Sequence, residues 1–283
     1  MSLHIGPYLL DLLETGAFAL DGGAMFGVVP KNIWSRTNPP DDENRIDMAL
    51  RILLIRSKEK NMLVDTGIGT KWDEKYAQIY RIDHSQHSLE GALAAHGLKP
   101  EQITDIILTH LHFDHVGGCT YKEGDQIKLT FPNAVHYIQK AHWEWARHPV
   151  EKDRASFLSE NISPLEQAHV QWLEGEKELY PGIHILISHG HTQSQQVVKI
   201  SDGKKTVLYC GDLIPTSSHI PIPFIMGYDN MPLVIMEEKR NILDQAVQGS
   251  WILCFEHDPK VKAGTVTKDP KKGRYALKEV VTI

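Results

Sequence analysis

Cysteine is scarce in this chain of 283 residues. The three cysteines, Cys119, Cys210 and Cys254, are too few and too scattered to form a disulfide framework, so a reducing, cytoplasmic compartment is expected. Long apolar runs are also missing, because no stretch approaches the roughly 20 residues that span a bilayer. The N-terminal residues lack the basic start of a secretory signal. We therefore expect the protein to act without a membrane.

Clustered positive charge is the third absence. Lysine and arginine number 30 against 36 acidic residues, which gives a formal net charge of −6. A protein that binds the phosphate backbone needs a basic patch, so nucleic acid is not expected as a partner. The sequence also has no internal repeat and no low-complexity tract. A globular protein with a small-molecule substrate is expected, and a homodimer is left open.

Short apolar runs and capping signals predict a mixed α/β architecture without an obvious linker. We expect one domain over residues 1–283, in which a polar helical segment near 150–175 is an insertion. Strands are predicted at 49–56, 61–65, 103–109, 134–139, 183–188, 197–200, 206–210 and 251–255, and helices at 88–95, 141–147 and 232–247.

Histidine is what the chain has in excess, with 16 residues. Four side chains that bind metals lie within six positions, directly after a predicted buried strand: His110, His112, Asp114 and His115. Imidazole and carboxylate groups suit divalent metals such as zinc. A histidine-rich surface loop is the alternative explanation, but four ligand-type residues in this order after an apolar strand make that alternative weak.

Three later segments extend the pattern. His191, Asp212 and His257 each follow a strand-like run, and the intervals between them are long enough to return the chain to the same edge of a sheet. Ligands from four strand ends would then converge. The sequence therefore predicts a site for two divalent ions, most simply zinc, with manganese, iron or cobalt as alternatives.

These residues resemble the metallo-β-lactamase superfamily of metal-dependent hydrolases, from the Asp65-Thr66-Gly67 turn to His257. The resemblance implies a four-layer αββα sandwich with the metals at one edge of two sheets. It implies that His110, His112 and His191 bind one ion. It implies that Asp114, His115 and His257 bind the other, and that Asp212 bridges both. It also implies that Asp65 orients a ligand histidine.

Particular positions separate the branches of this superfamily. No second histidine follows His191-Thr192, which disfavours the thioester-hydrolysing glyoxalase branch. Asp212 stands where antibiotic-cleaving members use cysteine, which disfavours β-lactams as the native substrate. His112 stands where oxygen- and nitric-oxide-reducing relatives tend to have glutamate, so hydrolysis is indicated. The stretch 21–30 is similar to the entry loop of the lactonase and methyl parathion hydrolase branch.

The resemblance therefore implies a dinuclear hydrolase of a small ester, most simply a lactone or an aryl ester, that uses a metal-bridging hydroxide as nucleophile. Asp114 is the predicted catalytic residue, which holds the nucleophile and passes a proton to the leaving group. Met25, Phe26 and Tyr228 lie in glycine-containing loops and are predicted to line the substrate pocket. Two alternatives stay open at this point: a phosphotriesterase resembling methyl parathion hydrolase, and a mononuclear-iron persulfide dioxygenase.

Overall fold

A computed structural model describes residues 2–283, in which two seven-stranded sheets and a separate two-stranded hairpin hold the strands. Its internal contacts divide the chain into two units. The first unit comprises residues 2–18 and 50–175, and the second comprises 19–49 and 176–283. The divisions at 18/19 and 49/50 fall inside two long strands.

The first sheet has the strand order β1-β2-β3-β4-β5-β8-β9. The pairs β4–β5, β5–β8 and β8–β9 are parallel, and β6 and β7 form the separate hairpin. The strands are β1 (Leu3–Ile5), β2 (Tyr8–Asp21), β3 (Arg45–Arg56), β4 (Asn61–Val64), β5 (Asp105–Ile107), β6 (Thr120–Glu123), β7 (Gln126–Leu129), β8 (Val135–Gln139) and β9 (His169–Leu173).

The second sheet lies within the second unit and has the strand order β10 to β16 in sequence. All neighbours pair antiparallel except β13 and β14, which are parallel. The strands are β10 (Lys177–Tyr180), β11 (Ile183–Ser188), β12 (Gln195–Ser201), β13 (Thr206–Tyr209), β14 (Ile252–Cys254), β15 (Ala263–Lys268) and β16 (Tyr275–Val281).

Eight α-helices lie within the described residues, and only the last is long. They are α1 (Gly22–Phe26), α2 (Lys31–Trp34), α3 (Glu74–Ile79), α4 (Leu89–Ala95), α5 (Phe113–Val116), α6 (Lys140–Arg147), α7 (Ser159–Ile162) and α8 (Pro232–Gly249). None of the helices in residues 2–283 has the length and apolarity needed to cross a membrane.

Local sequence explains where these elements begin and end. Ser88 caps α4 because its hydroxyl accepts a hydrogen bond from the Gly91 N–H (3.1 Å), and Gly97 takes the left-handed conformation that ends the segment (φ +70°). The Ser57 N–H donates to the Lys60 carbonyl (2.9 Å), which closes the β3–β4 hairpin predicted from the sequence. Each element therefore forms where capping and turn chemistry agree with the apolar pattern.

Each unit has its own hydrophobic core. Residues such as Leu54, Ile106 and Phe131 pack together in the first unit, and Leu208, Leu243 and Phe255 belong to the core of the second. The three cysteines are buried free thiols. In each unit a pair of parallel strands leads into segments that carry predicted site residues. In the first unit, β4 precedes Asp65 and β5 precedes His110. In the second, β13 precedes Asp212 and β14 precedes His257.

Residues 150–175 differ in part from the prediction of a helical segment. The stretch has α7 and short 3-10 turns at Arg154–Ser156 and Ser163–Gln167, but it ends in the strand β9. β9 is the last strand of its sheet and three of its five side chains are exposed, so it lacks the apolar alternation of a half-buried strand. Whether this stretch is an insertion in a single domain stays a prediction.

Candidate metal centre

The predicted histidine motif forms a buried turn in the first unit. After β5 the chain places His110, then His112 at the start of α5, and His115 within α5. The Nε2 atom of His110 lies 3.0 Å from Nδ1 of His112, and the His110 and His115 rings are 3.9 Å apart. Asp114 presents Oδ2 at 3.8 Å from Nε2 of His115. The four predicted ligands of this unit are therefore clustered.

Asp65 fixes the protonation of two of these histidines. Its Oδ2 accepts a hydrogen bond from Nδ1 of His115 (3.1 Å) and another from the Thr109 hydroxyl (2.6 Å), while Oδ1 accepts from the Thr109 N–H (2.7 Å). Because Thr109 has used its proton, its oxygen accepts from Nδ1 of His110 (3.0 Å). Nε2 of both His110 and His115 is thereby left with its lone pair, the form that binds a metal.

The second unit brings its three predicted ligands together around one carboxylate. Asp212 has Oδ2 at 3.2 Å from Nε2 of His191 and Oδ1 at 3.3 Å from Nε2 of His257. Nδ1 of His257 donates to the Ala49 carbonyl (3.0 Å), which leaves its Nε2 unprotonated. One carboxylate with one oxygen directed to each histidine is the arrangement that a bridging ligand needs.

Asp229 is a carboxylate that the sequence did not single out. Its Oδ1 accepts from Nδ1 of His191 (2.9 Å) and its Oδ2 accepts from the Met226 N–H (2.8 Å). Burial raises the pKa of Asp229, and the hydrogen bond from His191 opposes that shift. Because Asp229 only accepts, the His191 proton must be on Nδ1, and Nε2 faces Asp212. Asp229 follows no strand-like run, so no sequence pattern marks it.

Replacing Asp229 by asparagine is expected to weaken metal binding about tenfold, and alanine about a hundredfold, because carboxylates behind ligand histidines contribute factors of this size. Competition with a chromogenic chelator measures the dissociation constants. The exposed Asp125 provides the matched control, Asp125→Asn, which should bind metal like the parent protein. Equal affinities for Asp229→Ala and the control would show that Asp229 does not position His191.

Helix α8 supports the turn that carries His191. The carboxylate of Glu238 accepts from the Ser188 hydroxyl (2.7 Å) and from the N–H groups of His189 (2.7 Å) and Gly190 (3.1 Å). A Cβ atom at Gly190 would lie 2.3 Å from Cβ of Ile235, so only glycine allows the helix to pack this closely. The position of His191 is therefore set by packing as well as by hydrogen bonds.

Ligand spacing tests whether metal ions fit these clusters. Two ligand nitrogens about 2.05 Å from a tetrahedral zinc ion are about 3.3 Å apart. In three pairs, His110–His112, His191–Asp212 and His257–Asp212, the ligand atoms are separated by 3.0, 3.2 and 3.3 Å. All these side chains are buried, and buried groups of this kind are paired or bind metals. The donor set therefore fits divalent ions in both units.

Further residues of the first unit border the motif. Nε2 of His142 accepts from the Leu111 N–H (2.8 Å), which holds the turn between the two ligands of the His-x-His pair. Phe113 packs against Trp72 and Tyr80, with ring centroids 5.2 Å away in each case. Burial raises the pKa of Tyr80, and the charge of Asp114 adds to the shift. These aromatic side chains, which the sequence did not mark, lie beside the predicted catalytic carboxylate.

The predicted pocket residues are packed differently from one another. Met25 and Phe26 are buried, and Tyr228 is half-buried. The Phe26 ring stacks between Trp34 and His219, at centroid distances of 5.5 and 4.6 Å. A role of these residues in lining the substrate pocket stays a prediction.

His219 makes stability depend on pH. Its Nε2 donates to the Met25 carbonyl (2.8 Å), so Nδ1 accepts from the Thr216 hydroxyl (2.7 Å) and the ring is neutral. Burial lowers the pKa of His219 from 6.5 to about 4. The unfolded chain therefore takes up this proton first, and the associated stability is complete above pH 6.5 and falls as the pH approaches 4.

We expect His219 to account for about 3 kcal/mol of acid destabilisation over that range, since one pKa unit is worth about 1.4 kcal/mol. Urea unfolding of the metal-free protein at several pH values from 7.5 to about 4.5 measures this loss in the free energy of unfolding. The His219→Gln variant should lose less stability on acidification than the parent, whatever its stability at neutral pH. Parallel pH profiles for the two proteins would contradict the assignment.

Two mixed sheets with buried histidine and aspartate clusters after their strands define a metallohydrolase-like α/β protein. Residues 51–257 match the family model of the Metallo-beta-lactamase superfamily, and the chain belongs to this superfamily. The fold and the family predicted from the sequence are thereby confirmed, and the prediction of a metal-dependent hydrolase agrees with the match.

Relatives and solved structures extend the comparison. An N-acyl homoserine lactonase of Bacillus cereus is 28% identical over 233 residues, covering 78% of this chain and 86% of the relative. A probable metal-dependent hydrolase of Staphylococcus aureus superposes with a TM-score of 0.87 at 28% identity, covering 99% of this chain and 100% of the other. The dizinc quorum-quenching lactonase AidC shares the fold, with a TM-score of 0.81 at 24% identity, over 100% of this chain and 98% of the other.

Proposed function

We propose that this protein is a dinuclear metal-dependent lactonase that opens the ring of N-acyl homoserine lactones. Its ligands would be the seven predicted from the sequence: His110, His112 and His191 for one ion, Asp114, His115 and His257 for the other, and Asp212 for both. The observation that carries the proposal is the hydrogen bonding of four of these histidines, His110, His115, His191 and His257, each of which holds its proton on Nδ1, so that Nε2 has the lone pair that a metal needs. The similarity to the Bacillus cereus lactonase supports the choice of substrate.

Two bound divalent ions, for which we propose zinc, would polarise the lactone carbonyl and lower the pKa of the attacking water. Asp114 has two carboxylate oxygens, so one could hold this water while the other binds a metal. During the reaction, the water oxygen bonds to the carbonyl carbon and the ring C–O bond breaks. Asp114 accepts the water proton and passes it to the leaving alkoxide, which yields the hydroxy acid.

The aromatic side chains beside Asp114 suit the acyl part of such a substrate. Trp72 and Tyr80 line a cavity of about 690 Å³ in the first unit, and Phe113 packs against both of them. Polar and charged side chains, among them Lys71, Asp73 and Glu160, also line this cavity, so its aromatic part is limited to Trp72, Tyr76 and Tyr80. We propose that the acyl group contacts the aromatic cluster of Trp72, Tyr80 and Phe113, and a pocket role of Met25, Phe26 and Tyr228 stays a prediction.

A substrate panel tests the proposed function. Metal-loaded protein is assayed with N-acyl homoserine lactones, p-nitrophenyl esters, a phosphotriester and a glutathione thioester, and oxygen uptake is followed with glutathione persulfide. We expect kcat/KM for the lactones to exceed that of every other substrate by at least about a hundredfold. A preference for the phosphotriester, or oxygen uptake by protein with one iron, would replace this proposal with one of the alternatives.

A further inference from the structure

A second concave site lies in the second unit, and none of the predicted metal ligands lines it. It is a groove of about 670 Å³ between Ile33 of helix α2, the Pro221–Phe224 loop, helix α8 and the β15–β16 hairpin. Ile222 and Phe224 come from the loop, Met236 from α8, and Tyr275 from the hairpin. The volume falls within the range of about 300–1,000 Å³ that small-molecule sites occupy.

Several polar atoms of the groove's walls are already hydrogen-bonded. The carbonyl groups of Pro221 and Phe224 accept from the buried Nζ of Lys239, at 3.2 and 2.8 Å, and therefore do not need a ligand. The Tyr275 hydroxyl and Nζ of Lys268 both donate to Asp244, at 2.6 Å each. The walls consequently present mainly carbon atoms to whatever enters the groove.

Two exposed arginines lie at the rim of the groove. Arg240 of α8 and Arg274 of the hairpin line the groove, are exposed, and make no side-chain hydrogen bond or ion pair within residues 2–283. The hydrogen bonds from Lys268 and Tyr275, and then the charge of Arg240, lower the pKa of Asp244. The backbone N–H groups of Lys272 and Lys271, and then the charge of Arg274, lower the pKa of Asp269 in the same way, but neither arginine forms an ion pair with these carboxylates. Exposed arginines beside a carbon-lined groove match a ligand with an apolar body and one anionic end, because guanidinium binds carboxylate through paired hydrogen bonds.

We propose that this groove binds a small amphipathic carboxylate, with its chain against Phe224 and Met236 and its carboxylate on Arg240 and Arg274. No sequence motif marks the site, because its parts come from four segments that only the fold brings together. The inference does not depend on the proposed lactonase activity.

Calorimetric titration of the metal-loaded protein with decanoate tests the proposal. Each charge-assisted hydrogen bond is worth about a factor of ten in affinity, so the Arg240→Gln/Arg274→Gln variant should bind decanoate about a hundredfold more weakly. Lys271→Gln/Lys272→Gln removes the same charge from the adjacent hairpin tip and should bind like the parent. Decanol should bind much more weakly than decanoate, and lactone hydrolysis should not change in the arginine variant.

Several results would overturn the proposal. One is equal decanoate binding by the arginine and lysine variants, and another is decanol binding as tight as that of decanoate. Binding that persists in the arginine variant but disappears in Asp212→Ala would place the carboxylate at the metal centre. Absence of binding at millimolar decanoate would also refute it. None of these outcomes depends on whether the lactones are hydrolysed.

Discussion

Replacing Asp212 by alanine is expected to remove metal binding and activity together. This carboxylate lies within 3.3 Å of Nε2 of both His191 and His257, so its loss affects the ligand sets of both proposed ions. Zinc sites with four ligands bind with roughly 10–16 kcal/mol, so one ligand is worth about 3 kcal/mol, or more than a hundredfold in affinity. We expect kcat/KM to fall at least about a thousandfold.

Stability measurements separate this effect from misfolding. Metal-free Asp212→Ala should unfold at about the same temperature as metal-free parent protein, because the substitution removes a buried charge and leaves the imidazoles neutral. Added zinc should raise the unfolding temperature of the parent and leave that of the variant unchanged. Asp202→Ala, in an exposed turn of the same unit, is the control and should respond to zinc like the parent. Full zinc stabilisation of Asp212→Ala would rule out the bridging role.

Replacing Asp114 by asparagine is expected to lower kcat by about 10²–10⁴-fold while two metals per chain are retained. The asparagine oxygen still has a lone pair for a metal, but the amide neither accepts a proton from water nor returns one to the leaving group. The loss should be larger for a lactone than for a p-nitrophenyl ester, because p-nitrophenolate leaves without protonation.

Metal content and kcat are measured on the same preparations of the Asp114 variant, with Asp125→Asn as the control in the same unit. Unchanged lactone turnover with full metal content would dismiss the role of Asp114 in proton transfer.

The local part of the candidate centre is predictable from sequence because its residues are close along the chain. His110, His112, Asp114 and His115 follow one buried strand, and their order is specific enough to indicate a metal. Asp229 and Glu238 are not predictable in this way. They reach His191 and the preceding turn from a loop and a helix about 40 to 50 residues later, and only tertiary packing creates those contacts.

The elements of the fold also differ in how far the local sequence predicts them. Strands with clear apolar runs, such as β3 and β11, and the long helix α8 are marked by their sequences. The 14-residue strand β2 is not, because its run of leucines with Asp11 and Glu14 fits a helix as well as a strand. Its charged residues are accommodated by tertiary ion pairs, with Arg56 bound to Asp11 (2.7 Å) and Arg51 to Glu14 (2.8 Å).

Anomalous diffraction from crystals of the zinc-loaded protein, recorded at the zinc edge, tests the proposed centre most directly. Two strong peaks are predicted, one contacted by His110, His112 and His191 and the other by Asp114, His115 and His257, with Asp212 contacting both. A map with no peak at these side chains, or with zinc bound only elsewhere on the protein, would contradict the account.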